Sequence, residues 1–337
     1  MTRFCLLLSG LLLLPGLGCH CLSPKFKQSP PPLPAMFSGT PTLDQLTSAV
    51  YRNSTMVRTM EIDEATIRVA GVAIPVKASI LLERPKRLRI RGGISTITGQ
   101  EIDFGSNDEL FWLWRKRDEN RMLAYARHDQ FATSPVRRHV PLDPAWLLEA
   151  VGIIDPVAGE RHSGPFTTEN GKLKIETERP GLGGMCRKIT IIDPVTGCIL
   201  RQEMYSPQGE LTAVAVTSDH LYDPATGILY ARHIEIQCQG AEGMTTIDLG
   251  TPKFNISINP AEFIKPTFPG YQEIDICSPQ FLQALPAAPP TSTVMYQSPP
   301  TVAPYPGQTA APVYAQQPYA PSAATPVASA TTETVIR

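Results

Sequence analysis

Apolar and polar residues alternate along several segments in the middle of the chain, which is the pattern of a β-strand with one buried face. In the segment VKASILLE, Val76, Ala78, Ile80 and Leu82 are predicted to point to one face, and Lys77 points to the other. Ser79 and Glu83 are predicted to point to the same face as Lys77. We therefore predict a half-buried strand here.

The same alternation recurs further along the chain. Leu88 and Ile90 stand between arginines, and this segment is predicted to repeat the half-buried strand. Further alternating apolar positions are Leu110, Trp112 and Trp114, then Ile189 and Ile191, then Leu211, Ala213 and Ala215, then Ile228, Tyr230, Ile234 and Ile236. This repetition predicts an antiparallel sheet with one apolar and one polar face.

Turn sequences separate several of these strand segments. Residues 193–197 and 223–227 share the pattern Asp-Pro-x-Thr-Gly, in which proline presets φ and glycine supplies a positive φ. Residues 206–209, Ser-Pro-Gln-Gly, form a third turn signal between them. We therefore predict four consecutive strands joined as a meander within residues 186–238.

Two segments have helical rather than strand periodicity. Residues 42–45, Thr-Leu-Asp-Gln, are a capping-box pattern, and a first helix is predicted to run to about Tyr51. The second helix is predicted over residues 143–152, with Asp143 as N-cap and Gly152 at its end. Its apolar stripe consists of Trp146, Leu147, Ala150 and Val151.

The N-terminus has the pattern of an export signal. A single Arg3 precedes an apolar run that is too short to span a bilayer, so residues 1–18 are predicted to be a signal peptide. The run closes on Pro-Gly-Leu-Gly before Cys19, which resembles a bacterial lipobox and predicts lipid attachment at Cys19. An ordinary signal peptide is the alternative. Residues 19–41 are predicted to be the lipidated cysteine and a proline-rich tether.

Composition divides the remaining chain into two parts. Of the 337 residues 34 are proline, and they concentrate outside residues 42–277, which we predict to form one domain. Residues 278–337 are rich in Pro, Ala, Thr and Gln, and we predict a disordered tail there. Tyrosines recur in it every nine residues, either as a docking motif for another envelope protein or as low-complexity drift.

Charge and motifs exclude several classes of function. The net charge is −1, and no block of like charge is present, so a nucleic-acid partner is not expected. The six histidines show no metal-ligand spacing, and no nucleophile elbow occurs, so we predict neither an enzyme nor a metal or cofactor site. The cysteines at 186, 198, 238 and 277 allow three pairings, and thiols are slightly favoured.

Four segments, in order, resemble the LolA/LolB-type lipoprotein-carrier superfamily. They are ASILLERPKRLRI, GSNDELFWLW, IIDPVTGCILRQEMYSPQGEL and FIKPTFPGYQEIDI, and the resemblance covers most of residues 42–277. It implies a mainly β fold with α-helices: a curved, incomplete antiparallel barrel whose helices fill or lid the open side. Such a fold encloses an apolar cavity for acyl chains.

The resemblance also implies roles for particular residues. The residues expected to line the cavity are Val76, Ala78, Ile80, Leu82, Leu88, Ile90 and Trp112. Arg84 matches the family's Arg-Pro arginine, which holds the empty cavity shut, and the lid comprises Arg84, Trp146, Leu147, Ala150 and Val151. From the residues alone, an apolar strand face is more often an ordinary core than a cavity wall, and Arg84 is equally well a solvated strand-end residue.

Two functional hypotheses follow. In the first, the protein is an exported lipoprotein, anchored to the periplasmic face of the outer membrane, that carries or accepts acyl chains of lipids or lipoproteins. In the second, it is a structural envelope adaptor with a solid core that acts through its tail. The apolar helix at residues 143–152 favours the first hypothesis, and the 60-residue tail, 278–337, favours the second.

Overall fold

The structure is a computed structural model, and it describes residues 31–94, 99–138, 144–181, 184–239 and 243–285. The predicted signal peptide, Cys19, the first part of the tether, Asp143 and the chain beyond residue 285 lie outside the described residues. Statements below on structure refer to the described ranges.

Strands are the dominant secondary structure of the described residues, with a few short helices between them. The helices are α1 (Leu43–Met56), α2 (His128–Thr133), α3 (Pro144–Ala150) and α4 (Pro279–Ala284), and short 3-10 helices cover Pro135–Arg138 and Pro260–Phe263. The strands are β1 (Thr59–Val69), β2 (Val76–Glu83), β3 (Arg87–Gly93), β4 (Ile102–Ser106), β5 (Leu110–Arg115), β6 (Met122–Arg127), β7 (Arg161–Thr167), β8 (Leu173–Gly181), β9 (Gly184–Ile192), β10 (Ile199–Tyr205), β11 (Leu211–Asp223), β12 (Ile228–Cys238), β13 (Thr245–Leu249), β14 (Lys253–Phe254) and β15 (Gln272–Asp275).

All described strands belong to one sheet. Their order is β15-β6-β5-β4-β3-β2-β1-β13-β12-β11-β10-β9-β8-β7, with the short β14 also paired to β1. Neighbours are antiparallel, except that β15 runs parallel to β6. The sheet curves without closing, and the predicted fold class, an incomplete antiparallel barrel with inserted helices, is confirmed.

Local sequence signals set the start of α1 and the hairpin turns. The Thr42 hydroxyl accepts from the Gln45 amide and the Gln45 side chain accepts from the Thr42 amide, so the predicted capping box is confirmed. The helix continues past the predicted end at Tyr51 to Met56. Gly197 and Gly227 close the two related turns with φ of 71° and 77°.

The predicted meander is also confirmed, because β9, β10, β11 and β12 are consecutive neighbours in the sheet. Asp193 holds the first of its turns, since its carboxylate accepts from the amides of Val195 at 3.0 Å and Thr196 at 2.9 Å. Such short-range side-chain contacts fix the turn without help from the rest of the fold.

One face of the sheet, called the inner face below, carries the main hydrophobic cluster. Cross-strand pairing brings Met60, Leu82, Leu88, Phe111 and Ala126 into this cluster from β1, β2, β3, β5 and β6. Residues from β11, β12 and β13 complete it, and helix α3 lies within it. Burial on this face is the principal source of stability of the domain.

The opposite, outer face is also buried over β3–β6, which differs from the predicted polar face. Trp114 stacks on Phe268 with ring centroids 3.9 Å apart, and the Trp112 indole donates to Asp103 at 3.0 Å. The chain around residues 260–271 covers these rings, and Arg89 donates to the Glu262 carbonyl at 2.6 Å. The alternation identifies a strand, but it does not show that a later segment covers the second face.

The ordered domain extends beyond the predicted boundary at Cys277. Ser278 caps α4 by accepting from the Phe281 amide at 3.3 Å. Phe281, Leu282 and Leu285 then pack against the main cluster. The segment predicted as tail from residue 278 therefore begins with one short helix, α4, that the proline-rich composition hides.

Candidate functional site

Helix α3 lies on the inner face and is almost entirely buried. Six of its seven residues are buried, and Trp146, Leu147, Leu148 and Ala150 belong to the main cluster. Val151, which follows the helix, packs against the same cluster. These residues contact the inner face where the predicted cavity-lining side chains point. A short apolar helix therefore occupies the interior of the unclosed sheet.

The end of α3 is set by a glycine. Gly152 has a φ of 90°, a conformation that favours glycine, and the Ile153 amide donates to the Leu148 carbonyl at 2.9 Å. This is the hydrogen bond of a Schellman ending. The chain changes direction at Gly152. This glycine separates the helix from the next segment, which a hydrogen bond between the Ile154 amide and Ser54 holds in place.

Arg84 joins three elements at the end of α3. Its Nη1 donates to the Ser54 carbonyl at 2.7 Å, and its Nη2 pairs with the Asp155 carboxylate. The Ser54 hydroxyl donates to the Gly152 carbonyl at 3.2 Å and accepts from the Ile154 amide at 2.9 Å. The end of β2, the last turn of α1 and the segment after α3 are thereby held together.

A buried group of charged residues holds the other side of α3. The Glu149 carboxylate accepts from Arg179 at 2.6 Å and from Lys188 at 2.5 Å. The Gln202 amide donates to the Glu149 main-chain carbonyl at 2.6 Å. Glu149 is 7% exposed and Lys188 4%, so these contacts are shielded from water. We call Glu149, Arg179, Lys188 and Gln202 the polar cluster.

The charges of the polar cluster stabilise one another. Burial by itself raises the pKa of the Glu149 carboxyl, but the adjacent Lys188 and Arg179 outweigh burial and hold this pKa below its ordinary value. Burial lowers the pKa of the Lys188 ammonium against the opposing effect of Glu149. Removing one partner of such a buried pair costs about 3–5 kcal/mol, because the remaining charge is left uncompensated.

A second polar group extends the cluster toward α1. The Tyr51 hydroxyl donates to Glu160 at 3.1 Å and lies 3.1 Å from His162 Nε2. His162 Nδ1 lies 2.8 Å from the Thr177 hydroxyl. Burial, together with the Glu160 carboxylate, raises the pKa of Tyr51. The hydroxyl therefore remains protonated near neutral pH and acts as a hydrogen-bond donor.

The interior of the described domain contains little open space. Two clefts beside α1 have room for the centre of a water-sized molecule over about 40 and 30 Å³. The first is lined in part by Val151, Gly152 and Gln202, and the second by Tyr51, His162 and Lys188. Neither of these two volumes is large enough for an acyl chain.

The structure brings most of the residues predicted to line a cavity to the inner face. Ala78, Ile80, Leu82 and Leu88 belong to the same cluster as α3, and Ile90 packs against it. Val76 is buried at the start of the same strand. Trp112 differs, because it lies on the outer face with its indole donating to Asp103.

The polar cluster was not predicted from the sequence. In β9 the alternation points to Ile189 and Ile191 as the buried side chains, yet both are half-buried while Lys188 and Thr190 are buried. The interior at this end of the sheet is polar, which inverts the usual pattern. One signal was present: Glu149 is the single charged residue among the seven of α3.

The described residues also bear on other kinds of site. They contain no group of three or more His, Cys, Asp or Glu side chains arranged to hold a metal ion. Within the same ranges, no helix has both the length and the apolar character needed to cross a bilayer. Cys186, Cys198 and Cys277 are thiols, and burial raises the pKa of each.

The fold is that of a mainly β protein with one curved, unclosed sheet and inserted helices. No family model and no curated protein matches the chain. Among solved structures it is similar to a DUF1329 family protein from Desulfovibrio piger, with 13% identity, a TM-score of 0.43, and coverage of 64% of this chain and 96% of that one.

Two further solved structures are similar at 10% identity. One is described as an outer membrane lipoprotein-sorting protein domain from Vibrio parahaemolyticus, with a TM-score of 0.44 and coverage of 65% of this chain and 94% of that one. The other is a LolA superfamily protein from Nitrosomonas europaea, with a TM-score of 0.42 and coverage of 65% and 97%.

Proposed function

We propose that this chain is a lipoprotein of the bacterial envelope whose interior takes up acyl chains of lipids or lipoproteins, as a carrier or an acceptor in their transfer. The observation that carries the proposal is the position of α3. Six of the seven residues of this helix are buried, and they fill the inner face of a sheet that does not close. The helix therefore occupies the place in which an acyl chain would lie.

An acyl chain that takes the place of α3 would cover the apolar surface that the helix leaves. Moving the helix exposes the apolar side chains of the inner face, among them Ile80 and Leu82. An acyl chain covers such a surface with a gain of about 0.8 kcal/mol for each buried methylene. A chain of about 15 methylenes therefore offers on the order of 10 kcal/mol against the cost of displacing the helix.

Arg84 and the polar cluster hold the helix in place when no acyl chain is bound. Both act beside α3, Arg84 through Ser54 and Asp155, and Lys188 through Glu149. Because they make hydrogen bonds and ion pairs of defined geometry, they favour one closed arrangement over many loosely packed ones. In this proposal Arg84 is the residue that keeps the empty interior shut.

The test is direct binding to the purified chain. We expect a fluorescent fatty-acid analogue to bind at one saturable site, and lipid extraction followed by mass spectrometry to recover acyl lipids. Ile80→Asp places a charge on the inner face and should abolish binding, because an unpaired charge is costly against apolar walls. Ser79→Asp is the matched control, since Ser79 lies on the other face of the same strand.

Circular dichroism establishes whether each variant is folded. Saturable binding that the Ile80 variant loses and the Ser79 variant keeps supports the proposal. If the unmodified chain binds no acyl lipid at all, the proposal is contradicted. The structural adaptor with a solid core, acting through the tail, is then the better interpretation.

Attachment to a membrane is a separate part of the proposal. It rests on the sequence, in which Cys19 follows a lipobox-like segment, and on the inference that two or three acyl chains anchor a protein stably. We propose the periplasmic face of the outer membrane as its location. Cys19→Ser should move the protein from the membrane fraction to the soluble periplasmic fraction. A variant that stays with the membrane contradicts the anchoring.

A further inference from the structure

Lys188 is a cation held almost completely inside the domain. It lies on β9, between β8 and β10 in the sheet, and its side chain is 5% exposed. Lysine is almost never buried to this extent without a partner. Its ammonium is 2.5 Å from the Glu149 carboxylate. The stability of this buried charge therefore depends on a carboxylate that α3 supplies.

Three hydrogen-bond donors converge on Glu149. The Lys188 ammonium and the Arg179 guanidinium reach the two carboxylate oxygens, and the Gln202 amide reaches the main-chain carbonyl. The donors belong to β8, β9 and β10, which are adjacent in the sheet. Only the acceptor belongs to the helix. The sheet therefore presents a preformed set of donors, and α3 fills it with an oxyanion.

The donors and the acceptor are attached to the fold in different ways. The strands are paired to neighbours on both sides, whereas α3 is a helix of seven residues that ends at Gly152. If α3 moves to admit an acyl chain, Glu149 moves with it and Lys188 stays. A buried charge without a counter-ion is strongly unfavourable. An anion at the vacated position would restore the pairing of Lys188, next to the Glu160 carboxylate, which lies 4.0 Å from Arg179.

The surroundings fit an oxyanion at the end of an apolar chain. On one side of Glu149, its neighbours Leu147, Leu148 and Ala150 belong to the apolar main cluster. On the other side lie the polar side chains of Thr177 and Thr190, both buried. The boundary between apolar and polar interior therefore falls at the polar cluster.

We propose that Glu149 occupies, in the closed form, the position of the acidic headgroup of the ligand, and that Lys188, Arg179 and Gln202 form the headgroup site. The ligand class is an amphiphile with an acyl chain and an oxyanion at its end, either a carboxylate or a phosphate. This inference deepens the proposed function and rests on it. It adds that acidic lipids bind in preference to neutral ones of equal chain length.

The experiment compares three ligands with the same number of carbons on the purified full chain. Palmitate, hexadecyl phosphate and hexadecanol compete with a fluorescent fatty-acid analogue below their aggregation concentrations. We expect at least one of the two acidic ligands to compete at a concentration at least ten times lower than the alcohol. The stronger of the two identifies the headgroup as a carboxylate or a phosphate.

Two variants give opposite expectations. Lys188→Met removes the cation at similar volume. It should lower the affinity for the acidic ligand by a factor at least ten times larger than the factor for the alcohol. Glu149→Gln removes the carboxylate that competes with the ligand and keeps both cations. It should raise the affinity for the acidic ligand more than the affinity for the alcohol. Lys174→Met is the control, because this half-buried lysine pairs with Glu176 on β8 and has no contact with Glu149 among its described partners. If these residues had a purely structural role, each variant would change the affinities for the acidic ligand and for the alcohol by the same factor.

The outcomes separate this inference from the proposed function. Equal competition by all three ligands on the unmodified chain overturns the headgroup site and leaves acyl binding intact. Binding of none of them, including the alcohol, contradicts the proposed function itself. If both variants fail to fold, the comparison of the three ligands on the unmodified chain still decides.

Discussion

The guanidinium of Arg84 and the main-chain carbonyl of Ser54 are joined by a hydrogen bond of 2.7 Å. Ser54 lies in the last turn of α1, and its carbonyl also accepts from the amide of the C-cap residue Val57 at 3.1 Å. The hydroxyl of the same serine contacts Gly152 and Ile154, directly after α3. Ser54 therefore links Arg84 to both α1 and α3, the two helices that lie on the inner face.

Replacing Arg84 by leucine should open the closed form. The variant Arg84→Leu loses hydrogen bonds to Ser54 and Asp155, and a hydrogen bond to a charged group contributes about 1.5–3 kcal/mol. A smaller closed population raises the apparent affinity for an acyl chain, because less free energy is spent on opening. We expect an affinity several times higher in fluorescence titration, with a lower melting temperature.

Arg87→Leu is the matched control for this prediction. Arg87 lies three residues further along the chain, at the start of β3, and its partners Glu83 and Asp108 do not touch α1 or α3. We expect the affinity of this variant to equal that of the unmodified chain. An unchanged affinity for Arg84→Leu, in a chain that does bind acyl lipid, would leave the interior site standing and remove Arg84 as the residue that closes it.

Local sequence signals predict much of this fold. The capping box at Thr42 and the glycine that ends α3 act within five residues, so a pattern in the sequence is sufficient to find them. The polar cluster is different, because Glu149 and Lys188 are 39 positions apart and meet only through the arrangement of α3 over β9. The alternation in β9 even favours Ile189 as the buried residue, because an alternating pattern carries no information on whether the interior is polar.

The outer face illustrates the same limit. Trp112 fits an apolar stripe, but whether a strand has one or two buried faces depends on what covers it. Here Phe268 and Tyr271 cover the second face beside Trp114, and they lie more than 150 residues further along the chain. The burial of Arg89 and Asp103, which pair at 2.7 Å beneath this cover, has the same origin.

Gly105 should be intolerant of any side chain. A Cβ atom at this position would lie 2.1 Å from Cζ2 of Trp112, whose ring packs directly on the β4 backbone. The ring is fully buried and donates to Asp103, so it has no room to move. We expect Gly105→Ala to lower the free energy of unfolding by about 1–3 kcal/mol or more, as overpacking does.

Denaturant unfolding, followed by tryptophan fluorescence, measures this effect. Gly39→Ala is the control, because nothing lies within 4 Å of a Cβ atom placed there. It should leave the unfolding midpoint unchanged. Equal midpoints for Gly105→Ala and the unmodified chain would show that Trp112 moves aside, which would contradict the tight packing of the outer face.

His233 should make stability depend on pH. Burial lowers the pKa of His233, but the hydrogen bonds with Asp248 at 2.6 Å and Glu235 at 3.3 Å outweigh burial and raise the pKa above its ordinary value. A raised pKa in the folded state means that the imidazolium stabilises the fold below the unfolded pKa of about 6.5. This contribution is lost as the pH rises through the higher folded pKa.

His233→Gln removes the titrating group and keeps a polar side chain of similar size. We expect the unmodified chain to melt at a higher temperature than the variant at pH 5.5, and the difference to shrink at pH 9. Scanning calorimetry at both pH values measures it. A difference that stays constant, or grows toward pH 9, would show that His233 is not stabilised as a cation.

Two truncations should separate the C-terminal end of the domain from the tail. Removing residues 286–337 should change the melting temperature by no more than about a degree, because a segment without an apolar stripe contributes little burial. Removing residues 278–337 also deletes α4, whose Phe281 and Leu282 pack against the main cluster together with Leu285. Partial burial of three such side chains contributes on the order of 3 kcal/mol.

The longer truncation should therefore lower the melting temperature by roughly 6–12 °C, at about 2–4 °C for each kcal/mol in a domain of this size. Differential scanning fluorimetry on both truncated chains measures the two shifts side by side. Phe281→Ala in the full chain is the independent check, and it should reproduce part of the larger shift. Equal melting temperatures for the two truncations would place the end of the domain at Cys277, whereas a large shift for the shorter truncation would mean that residues beyond Leu285 add to the core.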